Sequence, residues 1–137
     1  MKLSKTLLFT LLVYVNISPG LLLTINRSQN LDTDYQVSWS VDLTSEIINF
    51  VVTAQTTGYV GFGLSRAGGM KNADIVIGGV QDGLPYFADY HAVRNGMPDI
   101  DSSQDWTLIS ASENSTHTML SFTRALNTCD KEDVSIN

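Results

Sequence analysis

"YQVSWSVDLTSEIINFVVTA", residues 35–54, is the stretch from which the fold class can be read. Tyr35, Val37, Trp39 and Val41 alternate with Gln36, Ser38 and Ser40, the period of a strand with one buried and one wet face. Asp42 to Ser45 reads as a turn. Ile48, Phe50, Val52 and Ala54 then resume the apolar phase with Asn49 and Thr53 opposite, so the two runs predict a β-hairpin.

The same pattern continues outward. Gly58–Leu64, Asp74–Val80, Pro85–His91, Asp105–Ser110 and Thr116–Thr123 are further strand candidates, set apart by turn residues such as Gln81-Asp82-Gly83 and Asn95-Gly96-Met97-Pro98. About seven short strands result, and no ten-residue segment beyond the N-terminus carries a helical apolar stripe. Such regular short strands predict an all-β antiparallel sandwich or barrel. A chain of 137 residues has room for one such domain.

The N-terminus reads differently. Lys2 and Lys5 precede an apolar run from Leu7 to Val15, and Pro19-Gly20 breaks it, the order of a secretory signal peptide over residues 1–20. The alternative is a signal anchor, because Leu21, Leu22 and Leu23 prolong the run. Residues 21–34 form a lead-in and the domain begins at residue 35. The formal charge is −6, and it becomes −8 once Lys2 and Lys5 are cleaved away with no acidic residue lost. No basic stripe could neutralise phosphates, so nucleic acid is excluded as a partner.

Other marks agree with a secretory route through the endoplasmic reticulum to a vesicle or the exterior. Asn26-Arg27-Ser28 and Asn114-Ser115-Thr116 are glycosylation sequons. Cys129 is the single cysteine; it reads either as half of a disulfide whose partner lies elsewhere or as a buried free thiol. The last nine residues look like a turn and the start of one more strand, which would leave the domain incomplete at its C-terminus and the chain a fragment or a short product.

Enzyme signatures are sparse. The sequence has no G-x-S-x-G elbow, P-loop, H-E-x-x-H or C-x-x-C. His91 and His117 are its only histidines, too few for a redox copper or catalytic zinc centre. Carboxylates are plentiful. Asp74 heads one predicted strand, Asp89 lies near the end of another and Asp105 opens a third. Antiparallel neighbours place the end of one strand beside the start of the next, so all three can converge on one rim as a hard-cation site for Ca²⁺ or Na⁺. The competing reading is ordinary turn capping by Asp; a glycosidase-like acid and base pair is a third. Tyr35, Trp39, Tyr59, Phe62, Tyr86, Phe87, Tyr90 and Trp106 serve either a sugar-binding face or the core.

Taken in order, "TTGYVGFGLSRAGGMKNADIVIGGVQDGLPYFADYHA", "SSQDW" and "ENSTHTMLSFTRALNTCD" resemble the DOMON domain of the dopamine beta-hydroxylase-like copper monooxygenases, most of all the DBH-like, MOXD type. The resemblance runs from Tyr35 to the last residue and implies an immunoglobulin-like β-sandwich at the N-terminus of a secretory-pathway enzyme, with a membrane anchor on the parent left open. It implies copper-binding catalytic domains that hydroxylate a dopamine-like small substrate with ascorbate, beyond the end of this sequence. The chain itself would be a non-catalytic regulatory or assembly domain, with those catalytic domains and a second copy in a homodimer as its partners.

The resemblance also implies a cation site on Asp74, the carbonyls of Ile75 and Tyr90, and Asp105, whose motif reads SQD in place of QQD. It implies that Cys129 pairs with a cysteine in a far C-terminal region absent here. Other DOMON domains hold haem b between Met and His, for which Met70 with His91 or His117 would be the candidates. A free-standing sugar- or haem b-binding module is therefore the alternative function.

Overall fold

The computed structural model describes residues 24–137; the expected signal peptide at 1–20 lies outside them. Nine strands build two antiparallel sheets. They are β1 Thr24–Asp32, β2 Tyr35–Asp42, β3 Ile47–Ala54, β4 Val60–Leu64, β5 Ala73–Gln81, β6 Leu84–Ala92, β7 Asp99–Ile100, β8 Thr107–Glu113 and β9 Thr118–Ala125. One sheet runs β1-β2-β3-β9-β8 and the other β4-β5-β6-β7.

The hairpin read from residues 35–54 is present, with Trp39 opposite Phe50. Aspartate and glycine set the turns. Asp42 Oδ1 accepts the backbone N–H of Thr44 at 2.8 Å, and Asp82 and Gly83, both with positive φ, form the two-residue link between β5 and β6 that a right-handed twist favours. The alternating apolar residues of β2, β3 and β9 meet Val60, Phe62 and Leu64 of β4 and Val76 of β5 in one core. Phe122 sits at its centre, fully buried, with ring centroids of Phe50, Phe62, Phe87 and Trp106 all 5.4–5.8 Å away. Tyr35 crosses between sheets, its hydroxyl donating to the Gly61 carbonyl at 2.7 Å.

The structure corrects the sequence reading in three places. Residues 24–32 of the expected lead-in form a full edge strand paired along β2. Asp105 and Trp106 precede β8 and do not open it. The last nine residues make no strand: they fold back, with Val134 and Ile136 packed on the core and the Ile136 N–H bonded to the Leu126 carbonyl at 2.9 Å.

Candidate metal centre

In the β5–β6 ladder Val76 lies opposite Asp89 and Asp74 opposite His91. Opposed residues share a face, as do residues two apart along a strand, so Asp74, Val76 and Asp89 point into the sandwich. Asp74 is 1% exposed and Asp89 0%. From the facing sheet, β9 turns Thr118, Leu120, Phe122 and Arg124 inward, and the last of these buries a guanidinium at the same end. The C-terminal segment closes over them and adds Asp133, also buried.

Both carboxylate oxygens of Asp74 are hydrogen-bonded. Its Oδ1 accepts the Trp106 indole N–H at 2.7 Å, and its Oδ2 accepts from Arg124 Nη1 and, at 3.2 Å, from the Val134 N–H. Arg124 also donates from Nη2 to the Val134 carbonyl, lies 4.8 Å from the centroid of the Trp106 ring and holds Asp133 Oδ2 at 3.7 Å. Asp89 differs. Its Oδ2 accepts the Asp105 N–H at 3.2 Å, while Gln104 clamps its backbone, Oε1 accepting the Asp89 N–H and Nε2 donating to the Asp89 carbonyl. Asp89 Oδ1, equally buried, has no hydrogen-bond partner.

One carboxylate oxygen from each of Asp74, Asp89 and Asp133 lies within 4.8 Å of the others. Three carboxylates against one guanidinium leave two negative charges in excess. Burial pushes Asp74 up to about 6 against the pull of Arg124. Asp89 rises to about 7, through burial first and the neighbouring Asp74 charge second. Burial also raises Asp133, opposed by the Thr128 hydroxyl and Arg124. Such an excess is relieved by protons in acid or by a cation at neutral pH. An all-oxygen donor set with an orphaned, fully buried oxygen fits a hard cation such as Ca²⁺ or Na⁺.

The other residues singled out from sequence lie beside this cluster or away from it. Asp105 is one step from the cluster, bonded through its N–H to Asp89 and through Oδ2 to the Ser103 hydroxyl. Ile75 and Tyr90 face each other across β5 and β6 on the outer side, where Ile75 joins an apolar cluster with Ala73, Ala92 and Met70. Met70 and His91 therefore occupy opposite faces of the sheet, and His117 sits in the β8–β9 turn beside Thr116, 2.8 Å from its hydroxyl. Trp39, Phe62 and Trp106 are core residues, whereas Tyr59 and Tyr90 line an outer apolar hollow of about 190 Å³ with Ile77, Met97 and Pro98. Asn26 on β1 and Asn114 in the turn are exposed, as is Cys129, a free thiol with positive φ. Turn capping is performed by other side chains: Asp42, Asp101 and Asn114 each accept a backbone N–H two residues on.

Arg124 and Asp133 were not singled out from sequence. The signal for Arg124 was available: in Thr118-Met119-Leu120-Ser121-Phe122-Thr123-Arg124 it falls in the inward phase, where an arginine requires an acidic partner. Asp133 belongs to a segment without periodicity and carried no such signal.

The sequence model of the DOMON domain matches residues 31–137. Among curated proteins the chain is 55% identical over 87 residues to DBH-like monooxygenase protein 1 of Gallus gallus, covering 64% of this chain and 14% of that protein. It is 48% identical over 102 residues to the Homo sapiens protein of the same name, covering 74% and 16%. It thus spans a small fraction of the relatives it matches. Among solved structures, the cytochrome domain of Myriococcum thermophilum cellobiose dehydrogenase superposes with a TM-score of 0.54 at 21% identity, covering 73% of this chain and 54% of that one; at that identity the likeness is one of fold.

Proposed function

The chain belongs to the DOMON domain family, and we propose that it is the non-catalytic regulatory or assembly domain of a DBH-like monooxygenase. Hydroxylation with copper and ascorbate would be carried out by domains beyond this one. The identity to the DBH-like relatives supports the parentage. The observation that carries the non-catalytic role is the burial of the carboxylate cluster: Asp74, Asp89 and Asp133 are 1%, 0% and 7% exposed, shut behind Trp106, Arg124 and the C-terminal segment. A group that must meet substrate needs a way in, whereas a structural ion does not.

In this reading Asp89 Oδ1 and Asp133, with Asp74 and the carbonyls of Ile75 and Tyr90, hold Ca²⁺ or Na⁺, and Asp105 steadies Asp89. The ion ties β5, β6 and the C-terminal segment together and stiffens a surface for the catalytic domains. Passage through the secretory route, glycans at the exposed Asn26 and Asn114, and pairing of the exposed Cys129 belong to the same proposal. Thermal unfolding in a sodium-free buffer with chelator, compared with added calcium and with added sodium, tests the ion: one of the two should raise the melting temperature, and equal values in all three refute it. Sequencing the transcript past the Asn137 codon tests the parentage. A reading frame with clustered histidines supports it, and a stop codon there favours an independent module.

One observation favours that second reading, a sugar- or haem b-binding module: the apolar hollow bordered by Tyr59 and Tyr90. A Soret band in the purified chain would establish the haem form. Its axial pair could not be Met70 with His91, since they sit on opposite faces of the sheet.

A further inference from the structure

The domain is acidic, yet its few free cations are gathered. Apart from Lys2 and Lys5, the sequence holds six lysines and arginines against 14 acidic residues. Arg124 is buried, and both ion pairs among the described residues are its own. Of the five left at the surface, Arg66, Lys71 and Lys131 border a single hollow of about 340 Å³. None of the three has a carboxylate within ion-pair distance, although acidic residues outnumber them several-fold. Scattered solubilising charges in such a protein would sit beside carboxylates, where each gains Coulomb energy. Three unpaired cations facing one space repel one another unless an anion occupies it.

The hollow has the form of a binding site. Arg66, Lys71 and Asn72 come from the β4–β5 loop, His91 from β6 and Lys131 from the C-terminal segment. His91 Nδ1 is 2.9 Å from the Glu132 carbonyl, so Nδ1 carries a proton and donates, and Nε2 is left open to the hollow, where in the imidazolium form it donates to an oxyanion. Two carboxylates are near. That of Asp133 turns inward to Arg124, leaving Glu132 against three cations. The volume lies within the ~300–1,000 Å³ range of small-ligand clefts.

We infer that the hollow between the β4–β5 loop and the C-terminal segment binds a small tetrahedral oxyanion, a phosphate or sulfate group, through Arg66, Lys71, Lys131 and His91. The group is either free or an ester on a small sugar. The inference is independent of the domain's parentage and of the buried cation.

The test is an NMR titration of the full chain with inorganic phosphate and, separately, a sulfated disaccharide, with chloride at matched ionic strength as the control. Saturable shifts confined to the amides around residues 66–72, 91 and 131–134 are expected, and they should be at least tenfold weaker in apparent affinity in the double variant Lys71→Gln, Lys131→Gln. Both positions are exposed, so the variant should keep the spectrum of a folded chain. Tighter binding of the disaccharide assigns the ester, and tighter binding of phosphate the free ion. Linear shifts that chloride reproduces, or equal affinity in the variant, overturn the site.

Discussion

Replacing Asp89 with asparagine should stabilise the domain in chelator at pH 8 and abolish its response to calcium. Asparagine keeps the shape: its carbonyl oxygen can take the Asp105 N–H that Asp89 Oδ2 accepts, and its amide offers donors to the carboxylates of Asp74 and Asp133 that now repel the orphaned Oδ1. The sign comes from the titration. Asp89 is raised from 3.8 to about 7, so the fold prefers the protonated group; its stability is complete below pH ~4 and is lost as pH climbs through 7. At ~1.4 kcal/mol per pH unit the ceiling is ~4 kcal/mol. The half-buried Asp105 beside it lets water relax part of the charge, leaving ~1–2 kcal/mol.

For a domain of this size, each kcal/mol moves the melting temperature by roughly 4 °C. Asp89→Asn should therefore melt ~4–8 °C higher than the parent at pH 8 in chelator, and near the parent value at pH 4, where both side chains are neutral. Calcium at one hundred times its Kd would stabilise the parent by ~2.7 kcal/mol and the variant by much less, so the order of the two proteins reverses in calcium. Differential scanning calorimetry in the four conditions reads all of this. A variant that melts below the parent in chelator at pH 8 refutes the electrostatic reasoning, and an undiminished calcium increment refutes Asp89 as a ligand.

Arg124→Met should cost ~3–5 kcal/mol in urea unfolding at pH 8, because it strands buried carboxylates. The loss should be smaller at pH 5, below the value of about 6 to which Asp74 is raised, and equal losses at both pH values count against the charge excess. Gly78→Ala should destabilise by ~1–3 kcal/mol through overpacking, since a Cβ there meets Phe87 Cδ2 and the Tyr86 carbonyl at 2.8 Å. Gly69→Ala, with nothing within 4 Å and no positive φ, should change chemical-denaturation midpoints little. Asn114→Gln should remove one endoglycosidase-sensitive step from the gel mobility of the chain expressed in a secretory host; unchanged mobility rejects that glycan.

How far the fold could be read depended on which faces each strand buries. β2, β3 and β9 each bury one face and alternate cleanly, so their period is written in the sequence. β1 is an edge strand exposed along most of its length; it is held by backbone pairing with β2, and only Ile25 and Leu31 pack against the core, which leaves no alternation to read. The two-residue β7 is too short for a period. The sequence places Asp105 at the head of a strand, but Gln104 clamps Asp89, and that contact between distant segments draws residues 101–105 out of the ladder.

The site follows the same logic with one further requirement. Asp89 shares the phase of Phe87, and Arg124 that of Phe122, so each could be placed on an inward face from its own strand. Neither is informative alone: an inward aspartate suggests a buried cap and an inward arginine a buried pair. The excess of two negative charges appears only when β5, β6, β9 and the aperiodic C-terminal segment are brought to one end of the sandwich, because it depends on counting three carboxylates against one guanidinium. That count makes turn capping an insufficient account of Asp74 and Asp89. Capping hydrogen bonds would satisfy individual oxygens, as they do for Asp42 and Asp101, but would leave the net charge in place. In a buried cluster only bound protons or a bound cation removes it, and the pH at which Asp89→Asn stops being stabilising tells the two apart.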